Sequence, residues 1–117
     1  MIVQVIGRAV GCEGGVLAAA GDNNTERLRF QFDREPVGKV YIKVRPPAGA
    51  PFREELAVSG AEAVWTVGQA AAASAGTVVC QLLMEDAAFS PARVWQSEQF
   101  RLTVLESLPL ENEEGVV

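Results

Sequence analysis

The chain of 117 residues contains no histidine, two cysteines and a single tyrosine. Without imidazole there is no Ser-His-Asp or Cys-His arrangement, and no side chain suited to general-base work near neutral pH. No serine lies in Gly-x-Ser-x-Gly, and Ser-x-x-Lys does not occur. Zinc usually takes four Cys or His ligands, and only Cys12 and Cys80 are present. Long apolar runs are also absent. No window approaches the roughly 18 uninterrupted apolar residues of a membrane span. Residues 1–104 hold all 10 Lys and Arg and 11 of the 15 acidic residues, so the body sits near −1. It therefore has no cationic excess with which to release counterions from phosphates, and nucleic-acid binding is not expected. These absences predict a protein that is not an enzyme and needs no metal or cofactor.

What remains is enough for one folded domain. Hydrophobic residues make up 49% and charged residues 21%, the balance of a globular chain rather than a disordered one. At this length about two-thirds of the unfolded surface can be buried without disulfides or metal. The two thiols stand 68 residues apart and form no disulfide framework. The opening Met1-Ile-Val-Gln-Val-Ile-Gly-Arg lacks the basic segment and cleavage site of a signal peptide. Synthesis in the cytoplasm, with both thiols reduced, is the corresponding expectation.

Apolar side chains recur with a period of two. Arg27–Asp33 places Leu28, Phe30 and Phe32 on one face, and Val40–Arg45 does the same with Val40, Ile42 and Val44. Phe100–Val104 repeats the pattern. Weaker runs cover Ile2–Ile6, Phe52–Val58, Ala63–Val67 and Ala92–Ser97. Thr77–Met84 is apolar on both faces except at Gln81 and reads as a central strand. Turn residues punctuate these runs at Gly21–Asn24, Pro46–Gly49, Ser59-Gly60 and Ser90-Pro91. The alanine-rich 68–76 segment has no apolar stripe, so it predicts a single helical turn in a loop. The expected fold is all-β: an immunoglobulin-like antiparallel β-sandwich of about seven to eight strands. Residues 1–105 form that single domain. Residues 106–117, with four glutamates and no basic partner, read as a flexible acidic C-terminal tail.

Three local patterns have ordinary explanations. Glu54-Glu55 is an adjacent carboxylate pair, but strand neighbours point to opposite faces and cannot share one substrate. Asp22-x-Asn24-x-Glu26 starts like a calcium loop without its glycine or its distant glutamate, and reads as an Asx-type turn. The glycines at 7, 11, 14 and 15 lack the Lys-Ser/Thr of a phosphate loop and read as a flexible or bulged connection. Ala75–Cys80 is similar to the segment around the second cysteine of immunoglobulin domains. However, Val78 stands where the corner tyrosine would be, and Trp65 follows Cys12 by 53 residues. Cys80 therefore reads as a small buried hydrophobe beside Val78, Leu82 and Met84.

The blocks read together resemble a known family. Gly21-Asp22-Asn23-Asn24-Thr25-Glu26-Arg27-Leu28-Arg29-Phe30 looks like the opening of the N-terminal β-sandwich domain of siphophage baseplate upper proteins. Val40–Gly49 is similar to that family's next strand and its basic, Pro, Gly turn. The Trp65 strand, Thr77–Met84 and the closing Gln99–Val104 follow in order, so the resemblance spans residues 16–106. It implies a structural module of a phage or prophage tail or baseplate, docking onto neighbouring virion proteins or onto itself. In that family the domain opens a longer protein with receptor-binding parts. Here only the acidic stretch follows, so the expected role is structural or accessory.

Outward positions supply the candidate docking residues. With Ile42, Val94 and Val104 facing in, Tyr41, Trp95 and Leu105 face out. A contiguous exposed apolar patch of this kind marks an interaction surface. The alternative is a free-standing carbohydrate-binding sandwich, for which Trp95, Tyr41 and Trp65 are the available stacking platforms.

Overall fold

A computed structural model describes residues 1–108. The acidic stretch from Pro109 onward lies outside the described residues, while Glu106, Ser107 and Leu108 are exposed and carry no regular structure. The elements in chain order begin with β1 (Ile2–Ile6), β2 (Ala9–Val10), β3 (Val16–Ala19) and β4 (Arg27–Phe32). β5 (Lys39–Arg45), β6 (Phe52–Glu55), β7 (Ala57–Ser59) and β8 (Glu62–Thr66) follow. The last are α1 (Gln69–Ala72), β9 (Gly76–Asp86), β10 (Arg93–Gln96) and β11 (Phe100–Leu105).

These strands form two sheets packed face to face, an all-β sandwich. One sheet has the order β2-β1-β4-β8-β7, the other β3-β11-β9-β5-β6, with β10 also paired to β9. Period-two alternation makes their inner faces. Leu28, Phe30 and Phe32 of β4 face Val40, Ile42 and Val44 of β5 and Val78, Cys80 and Leu82 of β9 within one core. Phe30 meets Phe100 of β11 across the sheets, ring centroids 6.0 Å apart and edge to face. Trp65 is fully buried, and its Nε1–H donates to Glu54 Oε1 at 3.2 Å. The outer face of the first sheet is a polar ladder. Gln4 donates to Gln31, and Arg29 grips Glu62 through two nitrogens at 3.0 and 3.2 Å.

Both sheets are mixed, which departs from the purely antiparallel expectation. β1 runs parallel to β4 and β3 parallel to β11. The cause is the first twenty residues. β1 turns through Gly7-Arg8 into β2, and the glycine-rich segment then crosses between sheets. Gly11 N–H bonds Gln4 on one sheet, and Gly14 N–H bonds Arg101 on the other. That segment is a strap between sheets, with both ends hydrogen-bonded to strands. The weaker strand candidate at 52–58 also divides. The buried Leu56, whose N–H bonds the Val40 carbonyl, carries the chain from β6 in one sheet to β7 in the other. The alanine segment is a single turn, α1, as the missing stripe predicts, but its Ala71 and Ala72 are buried in the core.

Candidate functional site

β9 has eleven residues, and two successive strands share one of its edges. Phe100 of β11 lies opposite Cys80, and Gln96 of β10 opposite Leu83. Between these pairs the edge holds Ser97, Glu98 and Gln99 against only Gln81 and Leu82. One extra residue is a β-bulge, and it reverses which side chains face inward. Trp95 pairs with Met84, which pairs in turn with the buried Val40, so Trp95 lies on the inner side of its sheet. Val94 is 57% exposed.

At this end the inner faces part. A cleft of about 700 Å³ opens there, floored by Phe32, Met84 and Trp95. The Phe32 and Trp95 rings stand edge to face at 6.5 Å. Arg8 closes one side, its guanidinium 5.6 Å from the Trp95 ring centre and its Nη1–H bonded to the Gln96 carbonyl at 2.6 Å. Arg34 and Arg93 stand on the rim with the exposed Val37 and Val94. Three carboxylates share the mouth. Asp33 accepts the Gly7 N–H at 3.0 Å and Asp86 the Ala88 N–H at 3.1 Å, so both cap loops, and Glu35 is exposed. Among the described residues the only ion pairs are Arg29–Glu62 and Arg101–Glu13, which leaves the three rim arginines without a carboxylate partner.

The predicted docking residues do not form one patch. Tyr41 faces out from the second sheet beside Glu55, with the Arg53 guanidinium 4.5 Å from its ring centre. Leu105 is 48% exposed but sits at the opposite end of the sandwich, next to Ala19. Trp95 belongs to the cleft, and the outward placement expected for it is corrected by the bulge. Ile42 and Val104 face in as predicted. Trp65 has no exposed surface on which a sugar could stack.

The remaining candidates fall where their chemistry allows. Glu54 is spent on Trp65, and Glu55 pairs in register with Tyr41 on the outer face. Asp22 Oδ2 accepts the Ala19 N–H at 3.0 Å in a tight turn. Among the described residues no three acidic or thiol side chains converge as metal ligands. Cys12 and Cys80 are free thiols. Burial pushes the Cys80 thiol up to about 12, with a smaller push from Cys12. Cys12 rises to about 11 through burial and the neighbouring Glu13 charge.

Sequence reasoning missed Arg8, Arg34, Val37 and Arg93. They come from the loops after β1 and β4 and from the start of β10, and only the run Asp33-Arg34-Glu35-Pro36-Val37, charged and closed by an apolar residue, hints at an exposed loop with a purpose. Comparison of the sequence with protein-family models returns no match, and neither does comparison with curated proteins.

Proposed function

We propose that this chain is a non-enzymatic structural module that works by docking onto other proteins, in the manner of a phage or prophage tail or baseplate component. The observation that carries the docking role is the cleft. An aromatic and thioether floor lies open at the end of the sandwich, ringed by exposed Val37 and Val94 and by arginines that have no carboxylate partner among the described residues. Such a surface costs solvation when bare and is stabilised by a partner that covers it. The strand order supports an immunoglobulin-like reading. β1-β4-β8-β7 against β11-β9-β5 follows the order of immunoglobulin-type sandwiches, whose loops at one end commonly bind. The virion assignment itself rests on the sequence resemblance over residues 16–106.

A second reading, a carbohydrate-binding sandwich, draws on the half-buried Trp95 among polar rim groups. Arg8 already covers part of that ring, and Trp65 offers no platform, so protein docking is the better fit. The two readings part in one experiment. Tagged protein is mixed with purified tail and baseplate proteins of the host prophage, and separately with an oligosaccharide panel. Capture of a tail or baseplate protein, lost on Val94→Asp, supports the docking module. Saturable oligosaccharide binding with no such capture overturns it in favour of the sugar-binding reading.

A further inference from the structure

The outer face of the second sheet concentrates positive charge. A shallow groove of about 360 Å³ lies over β6, β5 and β9, lined by Lys43, Arg45 and Arg53 together with Gln81 and Gln99, and by no carboxylate. In the cleft, by contrast, arginines and carboxylates are equal in number. Lys43 and Arg53 stand directly opposite one another in the β5–β6 register, and Arg45 follows Lys43 on the same face. Like charges placed so repel, and an anion between them relieves the cost. Among the described residues none of the three has a carboxylate partner. Lys43 Nζ donates to the uncharged Gln96 Oε1, and the Arg53 guanidinium stacks on the Tyr41 ring. Of the other charges these strands and β11 put on this face, Arg101 is paired with Glu13, and Lys39 lies opposite Glu85 at the far end. Glu55, opposite Tyr41, is the one carboxylate they set beside three cations.

The same chain carries the complement. Residues 109–117 include Glu111, Glu113 and Glu114 and contain no Lys or Arg. Their starting point is fixed at the near end of the groove. Ser107 Oγ–H donates to the Ala20 carbonyl, and the Ala20 N–H bonds Leu105, so the chain leaves beside the end of β11. Val104 lies opposite Gly76 there, Arg45 lies opposite Val79, and Lys43 faces Gln81 on one side and Arg53 on the other. At roughly 3.3 Å per residue and 4.8 Å per strand, Arg45 is about 14 Å from that end and Arg53 about 22 Å. From Leu108, Glu111 to Glu114 can extend about 11 to 22 Å, at no more than roughly 3.6 Å per residue. Charge and reach therefore agree. We propose that residues 109–117 lie across this groove of their own chain, with the glutamates on Arg45, Arg53 and Lys43. The contact is separate from the cleft and from what docks there. An acidic segment from any other protein meets this face only in competition with one tethered at about millimolar effective concentration.

Two variants separate the halves of the contact, and backbone amide NMR of the full chain reads them. Glu111→Gln with Glu113→Gln and Glu114→Gln keeps the length of the segment and removes its charge. Arg45→Glu with Arg53→Glu reverses two exposed groove residues and keeps the segment. Each variant is expected to move signals on the other side of the contact. The glutamine variant should shift the amides of Lys43, Arg45, Arg53 and Val79, and the arginine variant those of Glu111, Glu113 and Glu114. Both sets of shifts are expected to shrink at least about fivefold between about 50 mM and about 0.5 M salt. They should not change with protein concentration over about a tenfold range, because the contact is within one chain. If the double charge reversal does not fold, Arg45→Glu alone takes its place. Groove amides that ignore the glutamine variant, shifts that survive high salt, or shifts that fall at Arg34 and Arg93 instead overturn the proposal. Shifts that grow with concentration overturn it too, and put the segment of a second copy in the groove. None of these results touches the docking role of the cleft. That role is judged by capture and its loss in Val94→Asp, a change that leaves the groove intact.

Discussion

The Ser97 hydroxyl accepts a hydrogen bond from the Leu82 amide at 2.9 Å and donates to the Glu98 carbonyl at 2.7 Å. It does so at the bulge, where the regular ladder between β9 and its edge partner is interrupted. Ser97 is the buried polar residue among the described residues, and its side chain replaces the backbone acceptor that the extra residue displaces. The same bulge turns Trp95 inward and so creates the floor of the cleft.

Ser97→Ala should therefore cost about 1–3 kcal/mol, because it leaves the Leu82 N–H buried without an acceptor. Urea denaturation measures the loss. An effect under roughly 0.5 kcal/mol would mean that water or the Ser97 backbone satisfies that amide instead.

Gly38 carries the loop under the cleft into β5 with φ of +80°. A side chain there would meet the Glu85 carbonyl oxygen and the Asp86 backbone at clashing range. Gly38→Ala combines left-handed strain with overlap against backbone that cannot rotate away, and is expected to cost about 3 kcal/mol or more. Gly49, also at positive φ but with open space around it, is the control. Gly49→Ala should lose only about 1 kcal/mol. Equal melting shifts for the two would show that the Glu85 contact does not matter.

The thiols make stability fall at alkaline pH. Both ionise later in the folded protein than in the unfolded chain, where a cysteine titrates near about 8.5. Between that value and about 11 to 12 the native state holds more protons than the unfolded state, so unfolding free energy declines as pH rises. Below about pH 8 both states keep the thiols protonated and the contribution is complete. Denaturation midpoints in urea should drop between pH 8 and pH 10, and Cys80→Ala should flatten the slope. The native thiols should also react slowly with a maleimide at neutral pH. Two equivalents should react after denaturation without reductant, and a mass two hydrogens lower with no reaction would show a disulfide instead.

How far the sequence could lead is set by the range of each determinant. Alternation is a local property, so Leu28, Phe30 and Phe32, or Phe100, Leu102 and Val104, declare their strands and faces directly. β3 gives no such signal, because Leu17 and Ala18 are both buried in succession. Its parallel pairing with β11 joins residues more than eighty apart in the chain. The cleft depends on one bulge residue. Extending the inward set of β11 backwards through Glu98 and Gln96 places Val94 inside, and a single unpaired residue inverts that result. Its arginines come from the loops after β1 and β4 and from the start of β10, which only the folded chain brings together.

The bulge also separates two aromatic residues that simple alternation treats alike. Trp95 packs on Phe32 and against the core, whereas Tyr41 lies on the outer face under Arg53. Trp95→Ser removes a half-buried ring and should cost about 2 kcal/mol, less than the roughly 3–5 kcal/mol of a fully buried aromatic. Tyr41→Ser gives up a surface stack and should stay within about 1 kcal/mol. Separate urea titrations of the two variants, read by far-ultraviolet circular dichroism, make the comparison. Equal losses would place both rings in equivalent surroundings and contradict the bulge. A Tyr41 variant weaker than the Trp95 variant would invert the facing of the edge altogether.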